Sequence, residues 1–336
     1  MASAANVTSS SCITLKSPFY RQSSINDTLE QMQARFCHAR RDLGDHYDRR
    51  VERGMLVSRR VMIMGAAALA APCVNAQTQA TFRFALTPVF LDNDAEVIAA
   101  LQSALAVAMG QDIELVQRRT YQEISGALLD GSVDAAWTCG YPYLQHRAEL
   151  SLLGAPVWNG KPLYQSYLIA GVDDDATDLD GLKGGTHAFS DPDSNSGYLV
   201  TASDLARLGE TPERFFSRSI FTFGHRNVVR AVAGGLTRSG SVDGYVWEAL
   251  SAVEPNLTGR TKVVAKSEWL GFPPFVARSD RLQEPAVTAC ASALLALDQT
   301  EKGRAALRLL HLDEVTPCEP SLYDGIAARI AVLGAD

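Results

Sequence analysis

Residues 186–208 read THAFSDPDSNSGYLVTASDLARL. Thr186 to Phe189 is a short β run, and Gly197 to Leu208 has helical spacing. Between them Pro192 sets a turn, and Ser194, Asn195 and Ser196 are all residues that favour a helix N-cap. A strand that hands over to a helix this abruptly is the building unit of a sheet with crossover helices. The same alternation runs outward in both directions. Upstream, Phe82–Leu86, Ile113–Val116 and Val133–Trp137 read as strands, separated by helical patterns over Asp94–Met109 and Tyr121–Leu129. Downstream, Ser219–Thr222 and Val242–Val246 read as strands around a helix over Asn227–Ala233.

Two α/β units of about 90 residues each follow, each long enough to hold its own core. Two β-rich stretches, Tyr164–Gly171 and Phe272–Ala277, flank the second unit. With both crossing between lobes, the second lobe is an insertion in the first, and helices over Glu284–Leu297 and Thr300–Leu309 complete the first. The expected fold is therefore α/β and two-lobed, each lobe a mostly parallel sheet flanked by helices, with two hinge crossings. The expected division is lobe one over 77–170 and 272–336 and lobe two over 171–271. A cleft between lobes, at strand carboxyl ends, is the default ligand site of such a layout.

Composition removes several classes. The 336 residues are 46% hydrophobic and 21% charged, which excludes wholesale disorder. Lys and Arg number 31 against 38 Asp and Glu, so no basic excess exists to neutralise nucleic-acid phosphates. No apolar run reaches the roughly 18–20 residues that a membrane span needs, and insertion in a membrane is not expected.

Residues 55–76, MLVSRRVMIMGAAALAAPCVNA, place Arg59 and Arg60 before a short apolar run and end on small residues. That order is a secretory signal, with Ser58-Arg59-Arg60 resembling a twin-arginine type. Pro72 directly before Cys73 argues against a lipoprotein site. Residues 1–54 read as a prefix outside the fold, either non-native with Met55 as the natural start or a disordered tail. Beyond Gln77 the chain carries 21 basic and 32 acidic residues, a net −11. Any anion it binds is held by local dipoles, not by the overall field.

Four segments carry candidate chemistry. Ser190–Tyr198 opens a helix, whose free N–H groups and partial positive charge form an anion cradle with added hydroxyls and amide. Phe221–Asn227 (FTFGHRN) puts His225 at a helix start, where a neutral imidazole donates to an oxyanion and a positive one pairs with it; a surface loop histidine is the plain alternative. Val242–Glu248 (VDGYVWE) puts Asp243 at a strand end as an acceptor for a protonated ligand oxygen or an amine; helix capping is the plain alternative. Asp134–Tyr143 (DAAWTCGYPY) brings Thr138, Cys139 and Tyr141 to a strand's carboxyl end.

In order and spacing, DAAWTCGYPY, DPDSNSGYL, FTFGHRNVVRAVAGG and VDGYVWE resemble the phosphate/phosphite/phosphonate-binding proteins of ABC importers, a branch of the type II periplasmic binding proteins. The resemblance runs from about Phe82 to Leu309. It implies a Venus-flytrap fold, an oxyanion in the cleft, an ABC permease as partner, a periplasmic location and no cofactor. On it Ser194, Asn195 and Ser196 fall on the family's anion loop, usually Ser-Thr-Ser, and His225 and Asp243 fall on its histidine and acid. Thr138 to Tyr143 match its contacts after the third strand. Two departures stand out besides Asn195. No tyrosine stands near Thr87–Phe90, and Cys139 places a thiol in the cleft. A related branch senses arsenite in the periplasm and signals to a histidine kinase, so arsenite held by Cys139 is the alternative ligand. Cys290 and Cys318, close in sequence in an exported chain, are a candidate disulfide.

Enzyme readings find little support. No G-x-G-x-x-G, C-x-x-C, H-E-x-x-H or G-x-S-x-G occurs from Gln77 on. A hydrolytic set drawn from Ser196, His225 and Asp243 is the remote alternative.

Overall fold

The computed structural model describes residues 81–86 and 95–334. The prefix (1–54), the signal (55–76) and the Thr87–Phe90 stretch lie outside the described residues. The chain forms β1 (Phe82–Leu86), β2 (Ile113–Gln117), β3 (Ala135–Trp137) and β4 (Leu150–Val157), then the two-residue β5 (Leu163–Tyr164). It continues through β6 (Ser166–Gly171), β7 (Thr186–Phe189), β8 (Arg218–Phe221), β9 (Ser239–Asp243) and β10 (Thr261–Lys266). It returns through β11 (Leu270–Gly271) to β12 (Phe275–Arg278) and β13 (Glu314–Thr316).

These strands make two sheets, ordered β13-β4-β12-β3-β1-β2 and β10-β6-β9-β7-β8. Each lobe of the two-lobed α/β fold is thus built on one sheet. The sheets are mixed, not mostly parallel as expected. β3-β1-β2 and β9-β7-β8 are parallel, whereas β12 and β6 run antiparallel beside them. The reason is the double crossing: a strand that re-enters a sheet from the other lobe meets it from the opposite direction. The crossings themselves are paired, because β5 and β11 form an antiparallel ribbon between the sheets. β6 lies wholly in the second sheet and β12 in the first, so we place the lobe boundaries at this ribbon instead of at 171 and 272.

Helices of six or more residues are α1 (Ala95–Met109), α2 (Tyr121–Leu129), α3 (Gly140–Gln145), α4 (Val200–Arg207), α5 (His225–Ala233), α6 (Gly244–Val253), α7 (Pro285–Leu295), α8 (Glu301–Leu309) and α9 (Asp324–Leu333). Their starts follow cap chemistry. Thr120 Oγ1 accepts from Glu123 N at the head of α2, and Thr300 Oγ1 from Gly303 N at the head of α8. Two expected boundaries change. The run Val242–Val246 is not a strand: β9 ends at Asp243, whose carboxylate accepts from Val246 N at 3.3 Å and starts α6 at Gly244. A Cβ at Gly244 would stand 2.5 Å from Tyr167 and 2.7 Å from the Gln165 carbonyl, so this turn against β6 requires glycine. The helix expected from Gly197 begins instead as a π turn over Asn195–Leu199 and becomes α-helical at Val200.

The first-sheet core is aromatic. Trp137 packs on Phe275 with ring centroids 4.7 Å apart, and Phe84 lies 6.1 Å from Phe275. Each such side chain contributes about 1.5–3 kcal/mol by leaving water. Trp137 Nε1 also donates to the Pro273 carbonyl at 3.0 Å, which ties β3 to the returning strand. Cys290 lies buried on α7, within electrostatic reach of Asp134, while Cys318 lies beside Tyr323. Both are free thiols, so the disulfide considered from sequence is not formed. Their nearness in sequence does not bring them together, because Cys290 points from α7 into the hydrophobic core.

The C-terminal helix α9 leaves the first sheet and packs on α4 of the second lobe. Arg329, nearly wholly buried, donates to the Val200 carbonyl (3.1 Å), Ser203 Oγ (2.7 Å), Asp204 Oδ1 (2.8 Å) and Glu268 Oε1 (2.8 Å). Arg329→Met removes all of these hydrogen bonds. The carboxylates it abandons are partly exposed and can hydrate. Urea unfolding should therefore show a loss of about 1–3 kcal/mol, not collapse of the fold.

Candidate functional site

The carboxyl ends of β3, β7 and β9, the head of α5 after β8, the head of α2 and the β5 crossing bring polar side chains to one place between the sheets. From the first sheet, β3 delivers Thr138 and Cys139, both buried. Thr138 is fixed by its backbone N–H to the Pro274 carbonyl at 2.9 Å. From the second sheet, the loop after β7 delivers Ser190, Asp191, Ser194, Asn195 and Ser196, none more than 2% exposed. Ser194 Oγ accepts from Gly197 N at 3.0 Å and so starts the helix. Ser190 folds back against that start: a Cβ on Gly197 would lie 1.8 Å from Ser190 Oγ. Only glycine leaves the loop this tight.

The two halves touch. Asn195 donates its backbone N–H to Cys139 Sγ at 3.3 Å and its Nδ2–H to Tyr164 OH at 2.8 Å. Asp191 accepts from Tyr121 N at 3.3 Å, at the positive end of α2, and from Asp193 N at 2.8 Å. On the flank, Tyr245 of α6 donates its hydroxyl to the Leu310 carbonyl and packs edge-on against Trp158, centroids 5.9 Å apart.

Of the residues expected from sequence, Thr138, Cys139, Ser194, Asn195, Ser196, His225 and Asp243 are all buried around this junction. Tyr141 stands apart, half-buried within reach of Asp193 and hydrogen-bonded to Gln145. Sequence reasoning missed Tyr121, Tyr164, Ser190 and Asp191. Tyr121 had a usable signal: it opens a helix directly after a strand, as Ser194 does.

His225 Nδ1 accepts the Asp243 backbone N–H at 3.0 Å. The ring proton therefore sits on Nε2, as a donor. Burial holds the imidazole neutral by pushing its pKa down to about 3. This geometry is the reverse of a catalytic triad, where the carboxylate accepts from Nδ1–H. Here the Asp243 carboxylate serves its own helix, and the hydrolytic set of Ser196, His225 and Asp243 is not assembled.

Burial pushes Asp243 up to about 7, against the lowering pull of the Val246 and Tyr245 N–H groups. It pushes the Cys139 thiol up to about 12, and raises Tyr121, Tyr164 and Asp191 as well. Among the described residues no lysine or arginine belongs to the cluster. The fully buried cation among the described residues, Arg329, is engaged elsewhere. Three buried polar atoms are left without partners here: Thr138 Oγ1, Ser190 Oγ and Asn195 Oδ1. Each costs about 1–3 kcal/mol unless something completes it. The described residues hold no group of three or more His, Cys, Asp or Glu side chains able to bind a metal.

Residues 84–323 match a family described as "ABC transporter, phosphonate, periplasmic substrate-binding protein". The chain belongs to this family. It is 30% identical over 183 residues to the phosphate-import protein PhnD of Mycolicibacterium smegmatis, a match covering 50% of this chain and 56% of that protein. It thus spans about half the length of this curated relative. In fold it is similar to a binding protein component of a phosphonate transporter from Pseudomonas aeruginosa (TM-score 0.69, 20% identity, 74% of this chain and 85% of that one). It is also similar to PhnD1 of Prochlorococcus marinus in complex with methylphosphonate (TM-score 0.66, 16% identity, 76% and 98%).

The stability of the chain has a definite pH response. His187, wholly buried between Ser239 Oγ (2.8 Å) and Ser241 Oγ (2.9 Å), is also pushed down to about 3 by burial. Both histidines favour the fold above their unfolded pKa of about 6.5, and that stability drains as pH falls towards 3. Asp243 has the opposite sign: its raised pKa favours the fold below about 4, and the benefit is lost as pH rises through 7. Between about pH 8 and 4 the unfolded chain thus gains two protons at these histidines and the folded chain one at Asp243, so stability falls with acid. Asp243→Asn keeps the helix cap and removes the opposing group. Denaturant midpoints against pH should show it more stable than the parent at pH 8, with a steeper loss in acid.

Proposed function

We propose that this protein is an exported, periplasmic solute-binding protein that captures a small phosphorus oxyanion between its lobes and delivers it, unchanged, to an ABC permease. The observation that carries this reading is the buried junction itself: hydroxyl, amide and imidazole groups at the carboxyl ends of β3, β7 and β9, with unpartnered atoms and no cation. Neutral donors suffice for an oxyanion when they are preorganised and water is excluded, because each is worth more in a low dielectric. Family membership supports the class of ligand, the permease and the periplasmic location.

In this reading Thr138, Ser194, Ser196 and the Nε2–H of His225 donate to ligand oxygens. Asp243 accepts a hydrogen that the ligand retains. Tyr141 guards the rim. Closure turns about the β5–β11 ribbon, which both crossings share.

The placement of Cys139 favours a second reading, a periplasmic arsenite sensor that signals to a histidine kinase. Thiolate is the form that binds soft trivalent arsenic, and burial keeps Cys139 protonated. The oxyanion reading is therefore preferred.

A thermal-shift panel with phosphate, phosphite, methylphosphonate and arsenite separates the two. Ligand at 100 times its dissociation constant adds about 2.7 kcal/mol, a rise of several degrees. The expected result is a shift with a phosphorus oxyanion, equal in Cys139→Ser and abolished in Ser196→Ala and Asp243→Asn. A shift with arsenite alone, lost in Cys139→Ser, selects the sensor. Hydrolysis of a phosphomonoester, lost in Ser196→Ala, contradicts both.

A further inference from the structure

Asn195 is poorly placed for an anion loop. It stands between two serines at a helix start, where hydroxyl and N–H donors serve negative charge. Its backbone N–H goes to Cys139 Sγ and one Nδ2–H to Tyr164 OH, which fixes the amide. Its carbonyl Oδ1, an acceptor, then has no partner among the described residues, on a side chain with no exposure. A buried acceptor facing a bare anionic oxygen is repelled by it. The same acceptor facing an O–H gains a hydrogen bond.

Asp243 is a second acceptor in the same junction. One carboxylate oxygen takes the Val246 N–H, no lysine or arginine reaches it, and its charge is felt at Cys139, Tyr121 and Tyr164. The donors available are the Thr138 hydroxyl, whose Oγ1 is also buried and unpartnered, and the Nε2–H of His225. The junction thus offers acceptors as well as donors, and its burial keeps out the bulk water needed to bridge a mismatch.

We infer that Asn195 is a specificity-determining residue of this site, selecting a small tetrahedral oxyacid that keeps hydrogens on two of its oxygens, one given to Asp243 and the other to Asn195 Oδ1. This inference rests on the oxyanion reading above. Dihydrogen phosphate carries two such hydrogens, hydrogen methylphosphonate one and sulfate none. A site built to hydrogen-bond a ligand hydroxyl rejects the analogue that lacks it, because its own polar group is then left buried and unpaired.

Isothermal titration at about pH 7, where dihydrogen phosphate and the ionised Asp243 carboxylate are both well populated, tests this with phosphate, methylphosphonate and sulfate. The protein is compared with Asn195→Leu, which removes the acceptor at similar volume, and Asn195→Thr, which replaces it with a hydroxyl able to donate. The unaltered protein should bind phosphate at least about tenfold tighter than methylphosphonate and should not bind sulfate. Asn195→Leu should lose about ten- to a hundredfold for phosphate and much less for methylphosphonate. Asn195→Thr, which retains a polar group in the loop, should also bring the two ligands towards equal affinity. Equal affinities in the unaltered protein, or equal losses for both ligands in both variants, overturn the role of Asn195 while leaving an oxyanion site. Absence of binding by all three ligands to a protein that melts cooperatively overturns the oxyanion reading itself, and this inference with it.

Discussion

A cluster of polar side chains is withdrawn from water between the two sheets, and no lysine or arginine among the described residues enters it. That arrangement is costly, and it governs what surrounds it. Carboxylates at Asp191 and Asp243 are tolerated because each accepts backbone N–H groups at a helix start. His225 is tolerated because it stays neutral and takes an N–H from Asp243. The atoms left over are those that a ligand would complete. A positive side chain in their midst would bind any anion strongly but indiscriminately. Fixed neutral donors and acceptors read the number and place of hydrogens instead.

The rest of the fold holds these groups at fixed distances. Parallel triplets of strands aim their carboxyl ends at one region, and helix starts follow directly, so that N–H groups and cap residues arrive together. Close approach matters at Gly197 and Gly244, where a single added carbon would collide with Ser190 or with β6. The β5–β11 ribbon joins the lobes with both chain crossings side by side, and α9 adds a third link through Arg329. The junction is therefore braced on its hinge side, and bonds from Asn195 N to Cys139 Sγ and from Tyr121 N to Asp191 tie its two halves together.

Much of this was legible in the residues. The passage from Phe189 through Ser194–Ser196 into a helix shows in its cap chemistry, and the alternation around it specifies two α/β lobes. His225, Asp243 and Cys139 are recognisable because each stands where a strand run gives way to a helix. Other features were not legible for physical reasons. Tyr121 and Tyr164 enter the cluster from a helix start and a crossing strand, and nothing local says that two sheets will bring them beside Asn195. Val242–Val246 has the apolar, β-branched content of a strand. Only the capping geometry of Asp243 moves the boundary. The mixed sense of the sheets depends on where the chain re-enters them, and the separation of Cys290 from Cys318 depends on which helix face is buried; sequence spacing fixes neither.

The most direct test of the central claim is a crystal structure of the protein grown with inorganic phosphate. The account predicts a tetrahedral anion in the junction, within hydrogen-bond distance of Thr138 Oγ1, the Ser194–Ser196 helix start and His225 Nε2, with one oxygen against Asp243 and no lysine or arginine in contact. Phosphate bound elsewhere on a basic surface, or a junction whose unpartnered atoms are completed by ordered water alone in the presence of phosphate, would contradict it.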